Sequence, residues 1–192
     1  MSITVSGVRT RVRQITRRDN TTELSNDDLD VLILEACREI SKRTFCLKSS
    51  TTGTLAGDGT TISKPSDMVD SESAIDAFYL DSNLEDPISF DEWRAGYVAG
   101  YAYRDQTIHV KPSSSNTRSY TLYYRTMHAA LSTNLEFEDD LKMAVVWLTS
   151  KRVYENYELN EQAVKAEREY ERELLVNAPV EPTISRMRKT RE

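Results

Sequence analysis

Residues 25–43 read SNDDLDVLILEACREISKR, and this stretch says most about the fold. Ser25 is a favoured helix N-cap residue, and Asp27 and Asp28 follow in the first turn, where the helix dipole favours negative charge. An apolar stripe recurs at helical spacing and comprises Leu29, Ile33, Ala36, Cys37 and Ile40. Because Leu32 and Leu34 widen this stripe, we predict a helix that contacts more than one neighbour.

The segment before this helix predicts a shorter, basic one. In residues 7–17 the apolar residues Val8, Val12 and Ile15 recur at helical spacing with arginines between them. Four arginines here are candidate contacts for a partner: Arg9, Arg11, Arg13 and Arg17. Because Arg9, Arg13 and Arg17 recur every four residues along one side, they are suited to binding phosphates.

The middle of the chain has strand character. Residues 48–54 and 60–64 are rich in Thr and Ser, and the GDG of residues 57–59 predicts a hairpin turn between them. In residues 74–80, Ile75, Ala77 and Tyr79 are predicted to share one face. Short strands at this spacing indicate a small antiparallel sheet or a sandwich. Three tyrosines invite a base-stacking interpretation, although core or interface packing is favoured: Tyr97, Tyr101 and Tyr103.

Helical spacing returns near residue 138. One predicted helix has two apolar stripes, which indicates packing on two sides: Leu141, Ala144, Val145 and Leu148, then Met143, Trp147, Tyr154 and Tyr157. A second helix is predicted over residues 161–176, and Pro179 and Pro182 end helical structure. The order predicts an α+β fold, a helical bundle built from both chain ends with a β-rich antiparallel insertion and an extended basic C-terminal arm.

The predicted segments are residues 1–46 for the N-terminal helices, 47–127 for the β-rich insertion, 128–178 for the C-terminal helices and 179–192 for the arm. The formal charge of −6 divides unevenly among them. Residues 1–18 carry +5 and residues 183–192 carry +3, which leaves −14 for residues 19–182. The basic ends are either solvated termini or segments that bind acidic protein surfaces or nucleic acid. The acidic body disfavours duplex DNA as the main ligand.

No residue pattern predicts an active site, a metal site or a cofactor. His109 and His128 lack a nucleophile or a metal-binding motif around them, and Cys37 and Cys46 do not form a C-x-x-C motif. A glycine-rich phosphate loop, a signal peptide and an apolar run that could span a membrane are all missing from the sequence. We therefore predict a protein that is not an enzyme and does not contact a membrane.

Four stretches together resemble the head-to-tail adaptor (connector) proteins of tailed bacteriophages. The first stretch is GVRTRVR (7–13) followed by LSNDDL (24–29). The second is the predicted strand over 60–67, which ends in KPSD. The others are QTIHVKP (106–112) leading into YTLYY (120–124), and the helix pair over 138–177 with Ala166-x-x-x-Tyr170. The resemblance covers most of the chain as an overall pattern.

The resemblance implies a ring, usually twelvefold, beneath the portal at the capsid vertex. Its helices would surround a DNA channel, its β part would meet a tail or nozzle protein, and its terminal arm would reach the portal protein. Genomic DNA would pass without sequence recognition, and the protein would occupy the virion, and the host cytoplasm during assembly. The portal-docking arm would use two apolar anchors and three charged partners: Ile184, Met187, Arg186, Arg188 and Lys189.

Two other interpretations stay open. One is a nucleic-acid-binding packaging accessory that uses the basic N-terminal helix. The other is a different ring protein of the virion, such as a tail completion or terminator protein.

Overall fold

A computed structural model describes residues 4–18, 22–56, 60–96, 100–111, 117–137 and 139–177. The α-helices in these ranges are α1 (Val5–Thr16), α2 (Asn26–Thr44), α3 (Phe90–Ala95), α4 (Lys142–Asn156) and α5 (Asn160–Asn177). The strands in the same ranges are β1 (Lys48–Leu55), β2 (Thr61–Ser63), β3 (Ile75–Leu80), β4 (Asn83–Glu85), β5 (Tyr101–Arg104), β6 (Thr107–Val110) and β7 (Arg118–Arg125). The α+β prediction is confirmed, because helices from both ends of the chain pack together and antiparallel sheets are inserted between them.

The N-cap predicted for α2 is confirmed. The Ser25 side chain accepts a hydrogen bond from the Asp28 backbone N–H at 3.0 Å, so it satisfies one of the donors that every helix start leaves free. Phe45 ends the helix in the left-handed conformation. All five residues of the predicted stripe are fully buried. Burial raises the pKa of the Cys37 thiol to about 12, so this cysteine stays protonated in the core.

The bundle core joins α1 and α2 to α4 and α5. It consists mostly of aliphatic side chains, with the rings of Phe137 and Tyr170, and includes Val8 and Val12 of α1, Leu29 and Ile33 of α2, Val145 and Leu148 of α4, and Leu174 of α5. Near the C-terminal end of α2, the guanidinium of Arg43 joins this helix to α5. It donates to both carboxylate oxygens of Glu171, at 2.6 and 2.8 Å. This contact lowers the pKa of Glu171 below its ordinary value.

The strands form two antiparallel sheets that share one hydrophobic cluster. The first sheet has the order β1-β7-β3-β4 and the second has the order β2-β6-β5. Phe78 and Leu122 of the first sheet and Tyr101 and Ile108 of the second belong to the same buried cluster. We call residues 48–56, 60–96, 100–111 and 117–125 the β module. None of the four bundle helices packs extensively on a strand.

The predicted hairpin between residues 48–54 and 60–64 is wrong. β1 pairs with β7 along its whole length, from Lys48 opposite Arg125 to Leu55 opposite Arg118. β2 pairs with β6 in the other sheet. Residues 57–59, on which the prediction rested, lie outside the described residues. A turn signal indicates only that the chain reverses, whereas the partners of both strands lie more than forty residues away in sequence.

The prediction that Ile75, Ala77 and Tyr79 share one face of β3 is also wrong. The register of β3 against β7 shifts between Ile75 and Ala77, which marks a β-bulge. A bulge moves the following side chains to the opposite face, so Phe78 and Leu80 are buried together with Ile75. Tyr79 lies on the outer face, with its ring centroid 6.0 Å from that of Tyr123.

Candidate assembly surfaces

The four candidate arginines of α1 fall into two pairs, and the first pair binds α2. Arg9 forms a two-point ion pair with Asp30, with its Nε atom 2.7 Å from Oδ1. Arg13 donates from Nη2 to the carbonyl oxygen of Leu24 at 2.9 Å and to Oδ1 of Asn26 at 3.0 Å. These two side chains therefore hold α1 against the start of α2.

The second pair, Arg11 and Arg17, is exposed. Arg11 donates to the Gln14 side chain of the same helix at 3.1 Å. Only Arg17 of the predicted phosphate-binding stripe is exposed and outside the α1–α2 contacts, so the stripe is not a continuous basic face. Arg18 was not among the predicted contact residues, yet its guanidinium lies 3.4 Å from the centroid of the Tyr157 ring and joins the end of α1 to the end of α4.

Residues 65–93 contain nine acidic residues and no Lys or Arg, and several of these carboxylates bind groups of the β module. Asp67 accepts a hydrogen bond from the Tyr124 hydroxyl at 3.0 Å. Asp76 pairs with Nε of Arg125 at 2.7 Å. The pKa of Tyr124 is raised above its ordinary value by burial and, to a smaller extent, by the hydrogen bond from its hydroxyl to Asp67. Among the described residues, no group of three or more His, Cys, Asp or Glu is arranged to hold a metal ion.

The aromatic residues considered for base stacking are packing residues where the structure describes them. Tyr101 is 3% exposed and its ring meets that of Phe78 edge-on at 5.4 Å. Tyr103 is half-buried and donates a hydrogen bond to Asp70. Tyr97 lies outside the described residues. The core interpretation is therefore confirmed for Tyr101.

His128 is fully buried where the chain returns from the β module to the bundle. Its backbone N–H donates to the Ser41 hydroxyl of α2 at 3.2 Å, and its Nε2 accepts from the Glu136 backbone N–H at 3.2 Å. Arg38 donates to the His128 carbonyl oxygen at 3.4 Å. Burial lowers the pKa of this imidazole, so the neutral form is the one that fits here.

The depressed pKa of His128 predicts how stability changes with pH. In the unfolded chain His128 becomes protonated as the pH falls through about 6.5, whereas in the folded chain protonation requires a lower pH. The contribution of His128 to the free energy of unfolding is therefore fully present above about pH 6.5 and is lost as the pH drops below it. A His128→Gln variant keeps an acceptor for the Glu136 N–H but does not titrate. We expect urea denaturation to show a smaller loss of stability between about pH 7.5 and about pH 5 in this variant than in the wild type. Equal losses in the two proteins would contradict this role of His128.

The described chain ends at Asn177, the last residue of α5. The final turn of α5 exposes two apolar side chains, Leu175 (84%) and Val176 (74%). The five predicted arm residues follow this turn and lie outside the described residues: Ile184, Arg186, Met187, Arg188 and Lys189. None of the helices in the described ranges is long and apolar enough to cross a membrane.

A family model described as SU10 adaptor protein matches residues 3–187. The matched class is that of phage head–tail adaptors, which have a structural role in the virion. The chain belongs to the SU10 adaptor protein family, and the resemblance seen in the sequence is confirmed. A search of curated proteins gives no match.

Proposed function

We propose that this adaptor is the repeating subunit of a ring that joins the capsid portal to the tail. The observation that carries the proposal is the family match over residues 3–187, which spans both helical ends, the β module and the C-terminal segment as far as Met187. In this arrangement the bundles stand side by side around the DNA channel, twelvefold as the family resemblance implies. The β module meets the tail or nozzle protein.

The charge distribution suits a channel through which DNA slides. Residues 19–182 carry a net charge of −14, so a wall built from this body offers phosphates few opposite charges to bind. The packaging-accessory alternative requires a basic face on α1, and Arg9 and Arg13 are engaged with α2. The connector is therefore the function that the contacts favour.

In this proposal the C-terminal arm connects each subunit to the portal. Ile184 and Met187 are its larger apolar residues, and Arg186, Arg188 and Lys189 supply positive charge next to them. An arm that becomes ordered on docking gains its contacts only at that step. Folding of the body and attachment to the portal are therefore two separate steps.

Deleting residues 179–192 is expected to leave a folded protein that no longer attaches to the portal. The deletion removes no residue of the bundle core or the β-module core, so the melting temperature should match that of the wild type. Attachment is measured by co-sedimentation with the purified portal protein of the same phage.

The control is a shorter truncation that removes only residues 191–192 and keeps all five predicted arm residues. This control should bind the portal like the wild type. Wild-type attachment by the chain that ends at residue 178 would contradict the assignment of the arm.

A further inference from the structure

A groove of about 350 Å³ lies between α4 and α5. Its apolar lining comes from Trp147 and Tyr154 of α4 and Ala166 of α5, and the charged side chains that line it are Lys165, Arg168 and Glu169 of α5. Both basic side chains are exposed, and neither forms an ion pair within the part of the chain that the structure describes. We call this site the basic groove. It offers an apolar surface and two positive charges, and the carboxylate that lines it, Glu169, pairs with Arg172 at 2.6 Å.

The outward side of α2 has the opposite character. Asp27, Val31 and Leu34 follow one another at i, i+4 and i+7, so they form one line along the helix. Val31 is 58% exposed, which is unusual for a valine, and Leu34 is half-buried. Asp28 is exposed next to this line, and within the described ranges its side chain accepts a hydrogen bond from Ser25 alone. We call these four residues, Asp27, Asp28, Val31 and Leu34, the acidic ridge.

The basic groove and the acidic ridge lie on different sides of the bundle. Arg152 and Tyr154 are two residues apart on α4, so their side chains leave the helix about 200° apart. Arg152 reaches α2, with ion pairs to Glu35 at 2.9 Å and Glu39 at 2.7 Å. Tyr154 lines the basic groove. The ridge, on the outer side of α2, therefore cannot enter the groove of its own chain.

We propose that the acidic ridge of one copy docks in the basic groove of the next copy, an inference that rests on the proposed ring. In this contact Val31 and Leu34 cover Trp147, while Asp27 and Asp28 face Lys165 and Arg168. The apolar area supplies most of the attraction and the charges set the orientation. Two different surfaces joined in this way form a head-to-tail contact, which closes into a ring when the rotation between copies permits.

Cysteine cross-linking in assembled phage particles tests the contact. Val31→Cys places a thiol on the ridge, and Gln162→Cys places one at the exposed edge of the groove. Particles that carry the double variant are treated with a short bismaleimide and analysed on a denaturing gel. We expect most of the adaptor to shift from monomer into a ladder of dimers and larger covalent oligomers.

The two single variants are the matched controls, and all three variants are made in a Cys46→Ser background because Cys46 is a partly exposed free cysteine. Each single variant should stay monomeric on the gel. A ladder from either single variant would mean that like surfaces meet, and it would overturn the proposal. The same conclusion would follow if the double variant gave no ladder in particles that contain the adaptor. A cross-link between Ile184→Cys and Gln162→Cys would also overturn it, because the arm would then occupy the groove.

Charge reversal gives a second test with the cysteine pair in place. Asp27→Lys with Asp28→Lys should abolish the ladder, and adding Lys165→Glu with Arg168→Glu should restore it. A ladder that survives the first pair of changes, or is not restored by the second, would overturn the pairing of these charges. Wild-type particles that lack the chain at the head–tail junction would instead overturn the proposed function itself.

Discussion

Replacing Phe78 by alanine should destabilise the β module by about 3–5 kcal/mol, the usual cost of removing a buried phenylalanine side chain. Phe78 is fully buried on β3 opposite Leu122 of β7. Its ring lies 5.4 Å from that of Tyr101 and 6.3 Å from that of Tyr120, so both sheets lose contacts when it is removed. The cavity would lie at the centre of the cluster that the two sheets share.

The two tryptophans can show where this destabilisation occurs. Trp93 belongs to the β module, where its ring lies 4.9 Å from that of His109, whereas Trp147 packs against the bundle core. We expect Phe78→Ala to lower the urea midpoint reported by Trp93 in a Trp147→Phe background. The midpoint reported by Trp147 in a Trp93→Phe background should change much less. Equal shifts of both midpoints would contradict the separation into two cores.

Gly100→Ala is expected to be the most damaging small substitution in the β module. Gly100 has φ of +143°, a conformation that residues with a Cβ rarely adopt, and this strain costs about 1–3 kcal/mol. An added Cβ would also clash with the backbone carbonyl oxygen of Asp86 and meet Cγ2 of Ile88 at 3.0 Å. Relieving the clash would displace the segment that accepts the hydrogen bond from the Tyr101 backbone N–H, at a further cost of about 1–3 kcal/mol.

Gly96→Ala provides the matched control for this substitution. Gly96 also has a positive φ, +77°, but an added Cβ there would meet no atom of the described residues within 4 Å. The control should therefore show only the conformational cost of about 1 kcal/mol. Thermal denaturation of both variants measures the two losses of stability. A loss in Gly100→Ala no larger than that in Gly96→Ala would show that the backbone contact with Asp86 contributes nothing to the cost.

The helices could be predicted from the sequence because their signals are local. Ser25, the two acids after it and the stripe through Ile40 lie within four turns of one another, and each is confirmed in α2. The strand pairing could not be predicted in the same way, since β1, the first strand of the β module, pairs with β7, the last one. A single bulge next to Ile75 was enough to separate this residue from Ala77 and Tyr79, which were predicted to share its face.

The surfaces show the same distinction between local and distant information. The arginines of α1 could be recognised as a basic group, but only the packing of α1 on α2 shows that Arg9 binds Asp30. Leu34 was predicted to widen the contact face of α2, yet the described bundle leaves it half-buried. The sequence alone could not pair this residue with a groove on another copy, because that pairing requires both surfaces in three dimensions.

The most direct test of the proposed ring is electron microscopy of the full chain mixed with the purified portal protein of the same phage. We predict one closed ring of adaptor copies coaxial with the portal, with the helical bundles side by side around an open channel and the β modules pointing away from the portal. Portal particles that carry no ring, or only isolated copies at other positions, would contradict the account.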